Sequence, residues 1–264
     1  AGATPRTATS TPFGVQPPGP YTQQPFQADR IVGGYTEIIT FNPTSATGGT
    51  FDVTLRWNAG QFFNKSETAP VELDAADTGL GIDYRLYAIY KGSGSYSQSG
   101  SVTTFTFTPD AGDYLRVYLD DDRNTTFTNP ATGGLDFGRG NTGDDVLLAT
   151  GLPQAGQGTL NTALPTCPAI GTPPKDGINC GSFGSRTSFE LTAAGSNFFV
   201  DPDPFYNLSF QSGQLNNFAV SGTQTITGSM DVSFGNEVPE PASVGLLGLG
   251  LLGLGAARRR KQAK

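Results

Sequence analysis

Apolar and polar residues alternate along most of this chain, between about residues 31 and 236. In the segments 51–57 and 230–234, every second residue is apolar and the residues between are polar. A period of two residues is that of a β-strand with one face in a core and the other in solvent. Clusters of Gly, Asp, Asn and Ser separate the runs, as tight turns require. The alternation therefore predicts an all-β domain, built as an antiparallel β-sandwich or jelly-roll-like arrangement.

The composition divides the chain into three parts. Residues 1–25 are rich in Pro and Thr and predict an extended N-terminal arm. Residues 26–236 carry the alternation and form the predicted β-sandwich domain, in which residues 121–143 are a long loop. Residues 237–264 are a separate C-terminal segment. The chain begins with Ala1 rather than Met, and we expect that a secretory signal was removed before it.

The absence of histidine from all 264 residues limits the chemistry of this protein. Neither a Ser-His-Asp nor a Cys-His arrangement can form without it, and the usual zinc sites need histidine or more than two cysteines. We therefore expect a protein that is not an enzyme. Paired carboxylates leave one alternative, a polysaccharide hydrolase that uses either Asp121 with Asp144 or Glu37 with Glu190.

The charge of the chain is strongly acidic outside the C-terminal segment. The formal net charge is −7, from 23 acidic and 16 basic residues. Five of the basic residues follow residue 257, so a chain that ends before Glu240 keeps 11 basic and 22 acidic residues and carries −11. Such a domain repels nucleic acid and anionic lipid and attracts cations. We expect no nucleic-acid partner.

Two cysteines, Cys167 and Cys180, bracket a loop rich in Pro and Gly. In an exported chain the expected state of such a pair is a disulfide. Closing so short a loop stabilises the fold by about 3 kcal/mol, because it restricts the unfolded chain. The alternative is a pair of free thiols.

The long loop begins with acidic residues directly after a predicted strand. Asp120, Asp122 and Asn124 are spaced by two residues, which can direct three oxygens toward a hard cation such as calcium. Asp144 and Asp145 could complete the site from the other end of the loop. The pattern lacks the glycine and the flanking helices of an EF-hand, so the alternative is a solvated acidic turn.

Aromatic side chains on the predicted strands have two interpretations. Trp57, Tyr87, Tyr114 and Tyr118 could stack on sugar rings, because an aromatic face offers a flat apolar surface. They could equally form ordinary sheet surface or a second core.

The C-terminal segment combines three features in a fixed order. A stiff, extended triplet comes first, since each proline fixes its own φ: Pro239, Glu240 and Pro241. Residues 242–257 follow with 16 uncharged positions, which predict a single hydrophobic helix of roughly 24 Å that can reach most of the way across a bilayer. A basic cluster, expected to stay in the cytoplasm, comes next: Arg258, Arg259 and Arg260.

This segment resembles the PEP-CTERM sorting signal of Gram-negative bacteria. The resemblance implies export across the inner membrane, a transient membrane anchor through the hydrophobic helix, and recognition by an exosortase that cuts near residues 239–241. The protein would then reside at the cell surface or in the extracellular matrix. The alternative is a plain tail anchor that is never cut.

The body of the chain resembles the flocculation-associated PEP-CTERM proteins of floc-forming bacteria. The resemblance is carried by residues 33–37, 144–149, 202–218 and 222–235. It implies an association with extracellular polysaccharide and a role in floc or biofilm formation. The alternative function is that of a calcium-dependent carbohydrate-binding module, with the hydrolase as a third.

Overall fold

Antiparallel strands make up most of the described part of the chain, which confirms the predicted all-β fold. The computed structural model describes residues 11–19, 23–65, 70–170, 172 and 179–237. The strands run in chain order as β1 (Phe13–Val15), β2 (Phe26–Ala28), β3 (Arg30–Ser45), β4 (Gly48–Lys65), β5 (Pro70–Glu72), β6 (Arg85–Ser99), β7 (Val102–Phe107), β8 (Tyr114–Asp120), β9 (Thr126–Thr128), β10 (Gly138–Gly140), β11 (Asp145–Gly151), β12 (Pro153–Asn161), β13 (Gly181–Ser188), β14 (Glu190–Leu191), β15 (Phe199–Asp201), β16 (Leu208–Leu215) and β17 (Thr223–Gly235). Two short helices are α1 (Ala75–Thr78) and α2 (Ala193–Phe198).

Eight of these strands close into a barrel, in the order β3, β4, β6, β7, β12, β13, β16 and β17. Closure occurs because β4 pairs with β3 along one edge and with β6 along the other, while β17 returns to β3. The predicted two-sheet sandwich is therefore replaced by one sheet closed on itself. Both architectures bury one face of every strand, so the alternation in the sequence could not distinguish them.

A side sheet branches from the barrel at β6. Residues 85–91 of this strand pair with β8, whereas residues 94–99 pair with β7. The side sheet continues from β8 through β11 to β14. The side sheet therefore adds three strands, β8, β11 and β14, to the barrel next to β6.

The inward positions of the barrel are apolar and mostly aromatic. On β4, the predicted core residues Phe51, Val53, Leu55 and Trp57 are each at most 7% exposed. Aromatic clusters fill both ends of the barrel interior, and Phe234 packs against Phe13 at one end with ring centroids 5.0 Å apart. The cluster at the other end contains Phe41, Tyr96, Phe105 and Phe218.

Part of the predicted N-terminal arm belongs to this core. Residues 13–15 form β1, which pairs with β2 and β15. Phe13 and Val15 are fully buried, although they lie within the predicted arm of residues 1–25. The arm therefore enters the folded domain well before residue 26. The two side chains pack against apolar residues from distant parts of the chain, which the local sequence could not predict.

Candidate functional site

Two of the predicted calcium ligands hold the ends of the long loop together. Asp120 and Asp145 face each other across the β8–β11 ladder. The Asp120 carboxylate accepts hydrogen bonds from the backbone amides of Asn124, at 3.0 Å, and Thr125, at 3.2 Å. The Asp145 carboxylate accepts from the hydroxyls of Thr125 and Tyr87 and lies 3.8 Å from the Arg139 guanidinium. Protein donors therefore already engage both carboxylates.

The other three predicted ligands lie around an open surface hollow. Asp122, Asn124 and Asp144 line it together with Asn141 and Gly143. The Asp144 carboxylate accepts a hydrogen bond from the backbone amide of Asp122 at 2.8 Å, and the Asn141 amide donates to the Asn124 carbonyl at 3.2 Å. Among the residues that the structure covers, no group of three or more acidic or cysteine side chains is placed to hold a metal ion. Calcium binding stays a prediction.

The loop between these ends lies over the outer surface of β3 and β4. The backbone amides of Gly133 and Gly134 donate to the hydroxyls of Thr40, at 2.9 Å, and Thr54, at 3.0 Å. A β-carbon at Gly133 would come within 2.0 Å of the Asp52 carbonyl oxygen, so only glycine permits this close approach. The loop is thus docked on the barrel.

A second core forms beneath the loop, separate from the barrel interior. Its buried members come from β3, β6, β8 and the loop: Ile38, Tyr87, Ile89, Tyr118 and Phe137. Tyr87 and Tyr118 stack with ring centroids 5.1 Å apart. The Arg139 guanidinium lies 4.4 Å from the centre of the Tyr118 ring, and that of Arg56 lies 4.5 Å from the centre of the Phe127 ring. We call this loop-protected surface the covered face.

The fold determines which of the predicted aromatic residues could contact a sugar. Tyr87 and Tyr118 are 2% and 9% exposed, and Trp57 points into the barrel at 3%. These three rings cannot stack on a sugar in this fold, since protein already covers them. Tyr114 is half-buried, and its hydroxyl donates to the Asp136 carboxylate at 2.7 Å.

On the opposite outer surface of the barrel, no segment of the described chain forms such a cover. It is formed by the outward positions of five neighbouring strands, β6, β7, β12, β13 and β16. The cross-strand register aligns these positions in two rows. The first row contains Ser95, Thr106, Gln157, Gly184 and Ser212. The second row contains Ser97, Thr104, Thr159, Ser182 and Gln214. We call these ten exposed positions the open face.

The open face is chemically uniform. Each position carries a hydroxyl, an amide or the hydrogen of glycine, and none carries a charge. Within the described part of the chain, no hydrogen bond from another residue engages these hydroxyl and amide groups, which leaves them available to solvent or a ligand. With strands spaced about 4.8 Å apart, the face extends roughly 19 Å across the sheet. The strands were predicted from the sequence, but the rows were not, because they depend on register between distant segments.

The two carboxylate pairs considered for a hydrolase are placed differently. Glu37 lines the interior of the barrel, whereas Glu190 is exposed on the edge strand β14. Asp121 and Asp144 both lie at the surface, at the two ends of the long loop. A buried acid and an exposed acid on separate elements do not flank one glycosidic bond, so Glu37 and Glu190 do not form a hydrolytic pair.

The predicted disulfide between Cys167 and Cys180 is present. It lies next to the barrel, where Cys180 is fully buried and its backbone amide donates to the Leu215 carbonyl at 2.9 Å. The bridge therefore fastens the connection between β12 and β13 to the end of β16.

The predicted sorting residues fall outside the described residues. They are Pro239, Glu240, Pro241, Arg258, Arg259 and Arg260. The hydrophobic helix predicted over residues 242–257 lies there too. Within the ranges given above, the structure contains no helix with the length and apolar character needed to cross a bilayer.

Comparison with known proteins gives one match. A family model of the PEP-CTERM protein-sorting motif matches residues 237–261. No curated protein and no solved structure matches the chain. The matched residues span the rigid triplet, the hydrophobic stretch and the arginine cluster, so the match confirms the resemblance of the C-terminal segment.

Proposed function

We propose that this PEP-CTERM sorting-domain protein is a non-enzymatic component of the extracellular matrix that associates with exopolysaccharide and promotes floc or biofilm formation. The sorting motif implies export, processing by an exosortase and delivery to the cell envelope or surface. We further propose that the C-terminal helix anchors the protein in the inner membrane of a Gram-negative bacterium until the exosortase cuts it.

The open face is the observation that carries the association with polysaccharide. Serine and threonine hydroxyls and glutamine amides both donate and accept hydrogen bonds, as sugar hydroxyls do. A partner bound to neutral groups avoids the larger cost of stripping water from charged side chains. A flat surface of such groups on a rigid barrel can therefore exchange hydrogen bonds with water for hydrogen bonds with a polymer of sugars at small cost.

The exported domain is acidic, and binding of polysaccharide through its uncharged open face is compatible with this charge. After cleavage before Glu240 the domain would carry −11. Contacts through the uncharged open face would then depend little on ionic strength, since no charge pair has to form across them. Association driven by calcium bridges would show the opposite behaviour and would be lost on chelation.

Deletion of the gene in its host tests the cellular role. We expect the deletion strain to secrete its polysaccharide normally but to settle as dispersed cells, and a wild-type copy should restore flocs. If the deletion strain still settles as flocs, the proposed role is wrong.

Replacement of hydroxyls on the open face tests the surface. A variant with Thr104→Val, Thr106→Val and Thr159→Val keeps the shape and β-propensity of these strands but removes three hydroxyls. The matched control carries Thr225→Val and Thr227→Val on β17, which are exposed positions outside the open face. We expect the control, but not the open-face variant, to restore flocs to the deletion strain.

A further inference from the structure

The barrel encloses an elongated cavity whose wall is almost entirely apolar. Its volume is about 80 Å³, and its lining reaches from Phe234, near one end of the barrel, to Phe218, near the other. A water molecule needs roughly 10–15 Å³ measured in this way, so the cavity can hold a row of several atoms of that size. Apolar cavities of this kind remain dry and take up apolar molecules.

One acidic side chain, that of Glu37, lines this cavity. Glu37 lies on β3 between Tyr35 and Ile39, and the alternation that points these two buried residues inward points Glu37 inward as well. Although the side chain keeps an intermediate accessible surface, the protein surrounds it, because the remaining surface borders the cavity. Burial raises the pKa of the Glu37 carboxyl to about 7.

The serine and glutamine side chains that line the cavity are already hydrogen-bonded. The Gln211 side chain donates to the hydroxyls of Ser209, at 2.8 Å, and Thr187, at 3.3 Å, and accepts from the Ser185 hydroxyl at 2.9 Å. No hydrogen bond or ion pair engages the Glu37 carboxyl among the described residues. A buried polar group without a partner is costly, so a carboxyl in this position needs a proton, water or a ligand.

We propose that the interior of the barrel binds a slender aliphatic molecule whose one polar end, a primary amine or a hydroxyl, donates a hydrogen bond to Glu37. The aliphatic part would lie along the apolar wall, where each buried methylene strengthens binding about fourfold. An eight-stranded barrel has the width to enclose one small ligand of this kind.

The groups around Glu37 favour a donor over an acceptor. Burial, with a smaller contribution from the charge of Glu37, raises the pKa values of the Tyr35 and Tyr90 hydroxyls, so both stay protonated. No described cation lines the cavity to neutralise a second carboxylate. Above pH 7, where Glu37 is ionised, a carboxylate ligand would therefore meet a like charge in an apolar surrounding, which disfavours its binding.

Trp57 provides the signal for a test, because it is the single tryptophan of the chain and its side chain lines the cavity. The full-length protein is titrated with hexylamine, hexanol and hexanoate while the Trp57 emission is recorded. We expect a saturable change with hexylamine and hexanol and none with hexanoate. The proposal is wrong if neither the amine nor the alcohol gives a saturable change, or if hexanoate binds as tightly as hexylamine.

Three variants assign the binding to the cavity. Glu37→Gln should weaken hexylamine binding about tenfold or more, because the buried carboxylate partner of the ammonium is lost. Glu190→Gln removes the same charge from an exposed position and should leave both affinities unchanged. Ala88→Leu places a larger side chain on the cavity wall and should abolish binding of both probes. If Glu37→Gln does not fold, Ala88→Leu still decides the location, and unchanged binding in that variant would overturn the proposal.

Discussion

The two outer surfaces of the barrel are built on the same alternation of residues, yet they differ in chemistry. On the covered face, outward positions of β6 and β8 are tyrosines and an isoleucine, because the loop 121–143 shields them from water. On the open face, the outward positions are Ser, Thr, Gln and Gly, and none of the described residues shields them. The difference shows that the loop creates a second core on one side of the barrel, while the polar groups of the other side stay exposed.

The largest difference between the two faces should appear in stability. Phe137→Ala removes a loop ring that is 5% exposed in the second core and should lower the free energy of unfolding by about 3–5 kcal/mol. Thr159→Ala on the open face should change it by less than about 0.5 kcal/mol. Urea unfolding of both variants measures the contrast. Equal effects would show that the loop does not form a core on the covered face.

The inward face adds a dependence of stability on pH through Glu37. The pKa of Glu37 is raised from 4.5 to about 7, so the folded protein retains a proton that the unfolded chain releases at lower pH. The contribution of Glu37 to the free energy of unfolding should therefore be highest below pH 4.5 and fall by about 3 kcal/mol as the pH rises to about 7. Glu37→Gln should remove this decline, and Glu190→Gln should keep it. Stability curves that coincide for the wild type and Glu37→Gln between these pH values would contradict the burial of this carboxyl.

A smaller effect is expected where the covered face meets the acidic loop. Asp145→Asn removes the charge that faces Arg139 and weakens the hydrogen bonds from Tyr87 and Thr125. It should cost about 1–3 kcal/mol in unfolding experiments, as for hydrogen bonds to a charged group. Asp231→Asn breaks a partly exposed ion pair with Arg30 and should cost less than about 1 kcal/mol. Equal costs would mean that the Asp145 contacts do not stabilise the loop.

The sequence predicts features that depend on a single strand, such as which of its side chains are buried. It does not predict features that depend on pairing between strands far apart in the chain. The alternation at Phe51, Val53, Leu55 and Trp57 predicted an inward row, and all four side chains are buried. Barrel closure depends on β4 pairing with β6, and no local pattern encodes that register. For the same reason the sequence could not choose whether Tyr87 lies at a surface or in a second core.

The candidate sites show the same division. The PEP-CTERM signal was readable because it is a continuous run of residues, and the family model matches it over 237–261. The open face could not be read, since its ten positions come from five strands. Glu37 was noticed only as one carboxyl of a hydrolase pair, although its place between Tyr35 and Ile39 was a signal that it faces inward.

Binding of the secreted protein to the exopolysaccharide of its own host tests the central claim most directly. The wild type, the open-face variant with three Thr→Val substitutions and the β17 control are each sedimented with the purified polysaccharide, with and without a calcium chelator. We expect the wild type and the control to bind equally in both conditions, and the open-face variant to bind at least about tenfold more weakly, a loss of about 1.4 kcal/mol. Undiminished binding of the open-face variant, or loss of wild-type binding with the chelator, would contradict it.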